Sequence, residues 1–212
     1  MELKEIVNSA FDESAADKSI REKVFRLLGR LEEYHQSTYE HSLRVGLLSK
    51  DIGRMQNKEH RAGLYGVLHD IGKIKIPRSL LDKTEGFDDN DIEIMKGHVK
   101  EGYRILCEAG LPFSAWIALT HHRYQPKFYP SEDEMSNYQF PIPNASPSTR
   151  LLADTWSGIV GIGDAYDASK HRKNDMFGGL TLTSEELRAW LTKQYPSSEH
   201  IIDEAYERGI IE

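Results

Sequence analysis

Leu68-His69-Asp70-Ile71-Gly72-Lys73 is the stretch on which the reading of this chain turns. It sets an imidazole, a carboxylate and an ammonium among aliphatic neighbours. Working outward, His41 lies upstream, His98 and the doublet His121-His122 lie downstream, and Asp164 follows in Gly163-Asp164-Ala165-Tyr166-Asp167. Nitrogen and oxygen donors of this kind suit borderline divalent metals, and no thiolate belongs to the set. Leu68, Ile71, Val99, Ile117, Leu119 and Ile162 flank the candidates. Imidazole and carboxylate groups buried there without partners are costly, and metal coordination removes that cost. A single His-Asp pair is a weak signal; the set carries the reading.

The segments around these residues read as helices. Ile20, Val24, Leu27, Leu28 and Leu31 share one face of residues 18–34. Ser37-Thr38-Tyr39-Glu40 has the form of a capping box and opens a helix that carries His41. Residues 59–72 form a helix ending at His69-Asp70, and Pro77 stops its continuation. Asp88 or Asp89 caps a helix running to about Ala109, with Gly110 beyond it. Pro112 opens the helix that ends near His121-His122. Another helix spans Thr149 to about His171, although three glycines interrupt it. Those glycines, in Gly158-Ile159-Val160-Gly161-Ile162-Gly163, are read as close-packing positions, since the spacing does not match a dinucleotide fingerprint. Thr183-Ser184-Glu185-Glu186 is a second capping box, and a last helix covers about Ser198 to Arg208. No segment alternates as a strand does. The expected fold is all-α, a compact helical bundle with a long Pro-rich loop, residues 125–150, beside the active site as a lid or substrate wall.

The chain has 212 residues, 39% of them hydrophobic and 29% charged, which suits one compact domain. Its net charge of −7 argues against binding a nucleic-acid polymer. A small phosphorylated substrate stays open, because metal ions supply local positive charge. No run reaches the length of a membrane span, no secretory start is seen, and the single Cys107 excludes an internal disulfide framework. These features favour a cytoplasmic protein that does not bind membranes. The expected layout is an N-terminal helical extension at 1–36, a core at 37–180, and C-terminal helices at 181–212 packed on the same domain. The stretch before the core is too short for a sensor or receiver domain. Regulation is therefore expected from a partner, an oligomer or substrate level. Helix faces at 1–14 and 183–208 are candidate homodimer surfaces.

The order His…His-Asp…His…His-His…Asp resembles that of the HD superfamily of metal-dependent phosphohydrolases. The resemblance sharpens toward the HD-GYP subfamily of cyclic dinucleotide phosphodiesterases. It rests on His41-Ser42-Leu43-Arg44-Val45, on His69 to Lys73 with Ile76-Pro77, and on Met95-Lys96-Gly97-His98. Further matches are Ile117-Ala118-Leu119-Thr120-His121-His122 and Gly163-Asp164-Ala165-Tyr166-Asp167-Ala168. The family pattern implies His41, His69, Asp70 and Asp164 around one ion, and Asp70, His98, His121 and His122 around a second. Asp70 is the natural bridge, since a carboxylate has two oxygens. The implied chemistry is attack on phosphorus by a metal-activated water. Lys73 then pairs with a phosphate oxygen or protonates the leaving oxygen. Iron or manganese is the expected metal, and nickel or zinc fits the same donors.

The departures from the subfamily lie in the loop. A glutamate usually follows the His doublet, then a glycine-rich run ending Gly-Tyr-Pro. Here Arg123-Tyr124-Gln125-Pro126-Lys127-Phe128-Tyr129-Pro130 follows, with Phe128 in place of that glycine. Arg123, Lys127 and Tyr129 are candidate substrate contacts: two cations for phosphate or a guanine edge, and an aromatic for stacking. Ser37 stands where some members carry a third-metal glutamate, which favours two metals. Asp167 is open between a ligand role, a partner for Lys73 and a solvated acid. His35, His60, His171 and His200 read as ordinary polar-face residues, with His35 exposed. The resulting expectation is hydrolysis of a nucleotide-type phosphoester, cyclic di-GMP first. The alternatives are another nucleotide phosphohydrolase, a catalytically altered nucleotide sensor and a di-iron oxygenase.

Overall fold

The computed structural model describes residues 18–56, 62–171 and 182–212, together with Glu5 and Asn8. The rest of the expected helix at 1–14 and His60 lie outside the described residues. All regular structure among the described residues is helical. Helix α1 (Lys18–Tyr34) buries Val24, Leu27, Leu28 and Leu31, the face read from the sequence. Helix α2 (Gln36–Met55) carries His41. Its cap corrects the sequence reading. His35, not Ser37, is the N-cap: its Nδ1 accepts the Thr38 amide at 3.2 Å. The Thr38 hydroxyl reaches the same nitrogen at 2.7 Å. Nε2 therefore carries the proton and donates to Asp82 at 3.1 Å. His35 is buried, not exposed, because this role draws it into the fold.

Helix α3 (Ala62–Leu68) ends one residue before the His-Asp pair, and a 3-10 turn over Ile71–Lys75 continues the chain. Helix α4 (Arg78–Leu81) follows, then α5 (Asp89–Glu108), which opens on a reciprocal capping box between Asp88 and Asp91. Helix α6 (Pro112–Thr120) delivers the His doublet at its C-terminal end. The Pro-rich stretch is more ordered than expected. Ser131 and Glu134 form a capping box that starts a short α7 (Glu132–Met135), and α8 (Pro147–His171) begins within the span read as loop. Phe140 is buried edge-on against Trp116 of α6, which anchors the stretch to the bundle.

Helix α8 is continuous, and its glycines do not break it. Trp156, Ile159, Val160 and Ile162 are buried in the core, and Asp164 lies at their end. Gly161 explains how α8 comes so close to the end of α6: a Cβ there would stand 2.5 Å from the His121 carbonyl oxygen. Helices α9 (Ser184–Gln194) and α10 (Glu199–Glu207) complete the described chain. The buried Tyr195 between them donates its hydroxyl to the Gly161 carbonyl at 2.7 Å and accepts from Gln125 at 2.6 Å. No helix among the described residues is long and apolar enough to cross a membrane.

Candidate metal centre

Five elements deliver the donors to one point: α2 brings His41, the α3 end brings His69 and Asp70, α5 brings His98, the α6 end brings His121 and His122, and α8 brings Asp164. The turn after Asp70 must lie almost on α5 for this to happen. Gly72 makes that possible, since a Cβ there would be 1.9 Å from the His98 carbonyl oxygen. The flanking Leu68, Ile71, Val99, Ile117, Leu119 and Ile162 are fully buried and form a dry shell around the donors.

Ring hydrogen bonds fix the tautomers. Nδ1 of His69 reaches the Gly66 carbonyl at 2.6 Å, that of His98 reaches Met95 at 2.7 Å, and that of His121 reaches Ala118 at 2.9 Å. A carbonyl only accepts, so each Nδ1 holds a proton and each Nε2 presents a lone pair. Nδ1 of His41 donates instead to Asp167 at 2.7 Å. The buried Nε2 atoms of His41, His69, His98 and His121 and Nδ1 of His122 have no hydrogen-bond partner. Buried polar atoms are normally satisfied, so a cluster of lone pairs facing one another calls for a cation.

The carboxylates sit between the rings. Asp70 turns Oδ2 to His69 and His41, at 3.4 and 3.5 Å, and Oδ1 to His98 at 3.3 Å. Asp164 Oδ1 lies 3.0 Å from His41 and 3.8 Å from His69. Its Oδ2 is 3.8 Å from His122. Among the described residues three groupings have mutually close donor atoms: His41 with His69 and Asp164; His69 with Asp70 and His121; and His98 with His121 and His122. These residues fit a divalent metal by donor type, by burial and by their unpartnered lone pairs.

Without a metal the electrostatics are mixed: His98 and His122 are held neutral, while His69, between two carboxylates, is held protonated. Burial alone raises a carboxyl, but Lys73 and His69 beside Asp70 hold it well below the usual range. Burial likewise raises Asp164, and the adjacent rings of His41 and His69 more than reverse that. Burial pushes His98 down to about 4 and His122 down to about 3. Burial also lowers His69, yet Asp70 and Asp164 overcome it and raise the ring to about 10. Lys73 is 8% exposed and donates to Asp70 Oδ2 at 2.5 Å.

A cavity of about 600 Å³ opens over this floor. His41, Arg44, Lys73, His122 and Asp167 are among its lining residues, together with Tyr129, Phe87 and Ile92. Tyr129 stacks on His122 with ring centroids 4.4 Å apart. Arg123 and Lys127 are not among the lining residues. Arg123 pairs with Glu132 inside its own loop, and Lys127 is exposed. Ser37 lines the cavity, as does His171, which the sequence reading set aside.

Asp167 is the residue that the sequence left unresolved. It is 1% exposed, so it is no solvated acid, and it does not pair with Lys73. It accepts from His41 and from both Nε and Nη2 of Arg44, at 2.7 and 3.0 Å. Its place three residues after Asp164 on one helix was the available signal.

Comparison with known proteins agrees with this geometry. The HD domain family profile matches residues 38–152. A curated relative, the cyclic di-GMP phosphodiesterase of Thermotoga maritima, is 32% identical over 71% of this chain and 39% of its own length. A 3'3'-cGAMP-specific phosphodiesterase of Vibrio cholerae is 30% identical over 82% of this chain and 31% of its own length. The chain thus spans about a third of the length of these relatives. Among solved structures, the HD domain of the L. monocytogenes phosphodiesterase PgpH in complex with cyclic-di-AMP aligns with a TM-score of 0.53. That alignment has 20% identity and covers 86% of this chain and 85% of that one. It supports the fold. The His69-Asp70 pair at the centre of a buried His/Asp cluster, carried on an all-helical frame that the family profile spans, makes this chain a member of the HD domain family.

Proposed function

We propose that this chain is a metal-dependent phosphodiesterase that hydrolyses a cyclic dinucleotide, with cyclic di-GMP the first candidate. The observation that carries the reading is the orientation of Asp70, whose two oxygens face different histidines as a bridging carboxylate requires. His41, His69, Asp70 and Asp164 would hold one divalent ion. Asp70, His98, His121 and His122 would hold the other. When bound, such ions supply a water ionised near neutral pH and positive charge for the phosphoryl oxygens.

The chain's own residues account for the rest. The carbonyls of Gly66, Met95 and Ala118 hold the rings with Nε2 turned inward. Lys73 keeps Asp70 ionised, and its ammonium, lining the cavity, has a proton to give to a leaving oxygen. The aliphatic shell excludes bulk water. The cavity is of the size of a small-ligand site, and Tyr129 and Phe87 offer faces for a base. Of the loop residues expected to touch substrate, the reading keeps Tyr129. The names of the curated relatives support a cyclic dinucleotide. Iron or manganese is the proposed metal, and a reducing cytoplasm, consistent with the single Cys107, the proposed location.

The test is turnover of cyclic di-GMP, cyclic di-AMP and a mononucleotide panel by protein loaded with Mn²⁺ or Fe²⁺, with Asp70→Ala as control. Cleavage of a cyclic dinucleotide that the control lacks is the expected result. Cleavage of other phosphoesters alone overturns the substrate. No cleavage by a protein carrying two ions overturns the enzymatic reading.

A further inference from the structure

Four of the five clustered histidines have a partner for Nδ1, and one of those partners differs in kind. His69, His98 and His121 each lean on the neutral carbonyl of the residue three positions earlier. His41 instead donates to the carboxylate of Asp167, 126 residues away in sequence. We propose that Asp167, clamped by Arg44, is a positioning residue that makes the His41 side of the centre bind its ion more tightly, and earlier, than the His98 side. This rests on the proposal above that the cluster holds two ions.

The physical basis is the charge behind the ring. A carboxylate hydrogen-bonded to the distal N–H of a ligating imidazole fixes its orientation and raises its basicity as a donor. A peptide carbonyl fixes the orientation and adds no net charge. Burying Asp167 at 1% exposure is tolerable because Arg44 places Nε on Oδ1 at 2.7 Å and Nη2 on Oδ2 at 3.0 Å. That two-pronged contact also prevents the carboxylate from rotating away from His41. His171 Nδ1, 3.0 Å from Oδ1, faces it from the same helix. The donors in front of the ring add to the asymmetry. The His41 side meets Asp164 Oδ1 at 3.0 Å and Asp70 Oδ2 at 3.5 Å. The His98 side meets Asp70 Oδ1 at 3.3 Å, and Asp164 only through His122 at 3.8 Å. Asp70 is shared by both sides, but the nearer Asp164 oxygen and the charged support lie on the His41 side, and the three rings of the other side have no charged support.

The experiment is calorimetric titration of metal-free protein with Mn²⁺, comparing the wild type with Asp167→Asn. Two binding steps are expected. Asp167→Asn should weaken the tighter step by roughly 10–100-fold and leave the weaker one within about twofold. Asp167→Asn leaves Arg44 half-buried without its counter-charge, so the double variant Arg44→Met with Asp167→Asn removes both partners and guards against misfolding. Its circular dichroism and melting should match the wild type, and its tighter step should be lost in the same way. Equal changes in both steps, no change, or a change in the weaker step alone overturns the proposal. A wild type that takes one ion refutes the two-ion reading; that ion then supports Asp167 if the variant weakens it and overturns the role if it does not. A wild type that takes none overturns both.

Discussion

Beside the cavity, buried ring nitrogens of five histidines have no hydrogen-bond partner. Above it, in the stretch from Arg123 to Ser146, three of the charged side chains are matched within the protein. Arg123 pairs with Glu132, and Glu134 caps its own helix while pairing with Lys100 of α5. The two regions teach opposite lessons about polar residues. Unmatched groups among fully buried aliphatics mark the place where something else must bind. Matched groups on an exposed loop serve the loop, and each pair contributes little to stability.

The largest test of this contrast is removal of the residue that both sides of the floor share. If the proposed function holds, Asp70→Ala should abolish metal retention and lower turnover of the cyclic dinucleotide by about a thousandfold or more, read by elemental analysis and a product assay. Retained metal and activity would break the contrast at once. Next is Gly72→Ala, which puts a Cβ 1.9 Å from the His98 carbonyl. The backbone has to move, so a loss of about 3 kcal/mol in urea unfolding is expected, together with impaired metal binding. A loss below about 1 kcal/mol would mean that the turn and α5 separate easily.

The third test uses acid. In the metal-free chain burial holds His98 at about 4 and His122 at about 3, whereas both titrate near 6.5 when unfolded. Below pH 6.5 the unfolded chain therefore binds more protons, and stability falls as pH drops toward 4. Each ring contributes a slope of about 1.4 kcal/mol per pH unit. His69 acts in the other direction. Raised to about 10, it contributes stability that is complete below pH 6.5 and lost as pH rises through 10. Melting in the presence of chelator should peak near pH 6.5, and a flat profile from 4 to 6.5 would remove the case for buried neutral rings. The smallest effect belongs to the rim. Arg123→Gln should cost less than about 1 kcal/mol and leave kcat/KM within about twofold. A tenfold loss in kcat/KM would mean that Arg123 exchanges Glu132 for substrate, and the contrast would need redrawing.

Much of the fold was legible because helix signals are local. The Thr183 box, the Asp88 cap, Pro112 and Gly110 all act as read, since each concerns a few neighbouring backbone groups. The start of α2 was misread because an imidazole replaced the expected hydroxyl as the cap. The glycines of α8 looked like interruptions and are contact points, a distinction set by what lies opposite. Gly161 faces the His121 carbonyl, 40 residues away in sequence.

By itself the sequence determined the helical class and the candidate donor residues, because periodicity, caps and residue types are properties of the chain. It also carried the likeness to a family. The tertiary structure alone decided which donor faces which. It turned the two oxygens of Asp70 apart, put a carboxylate behind His41 and carbonyls behind His69, His98 and His121, and drew Arg123 to Glu132 and away from the cavity. Those pairings join residues of distant elements, and their geometry follows from how closely the helices pack, a quantity no local pattern encodes.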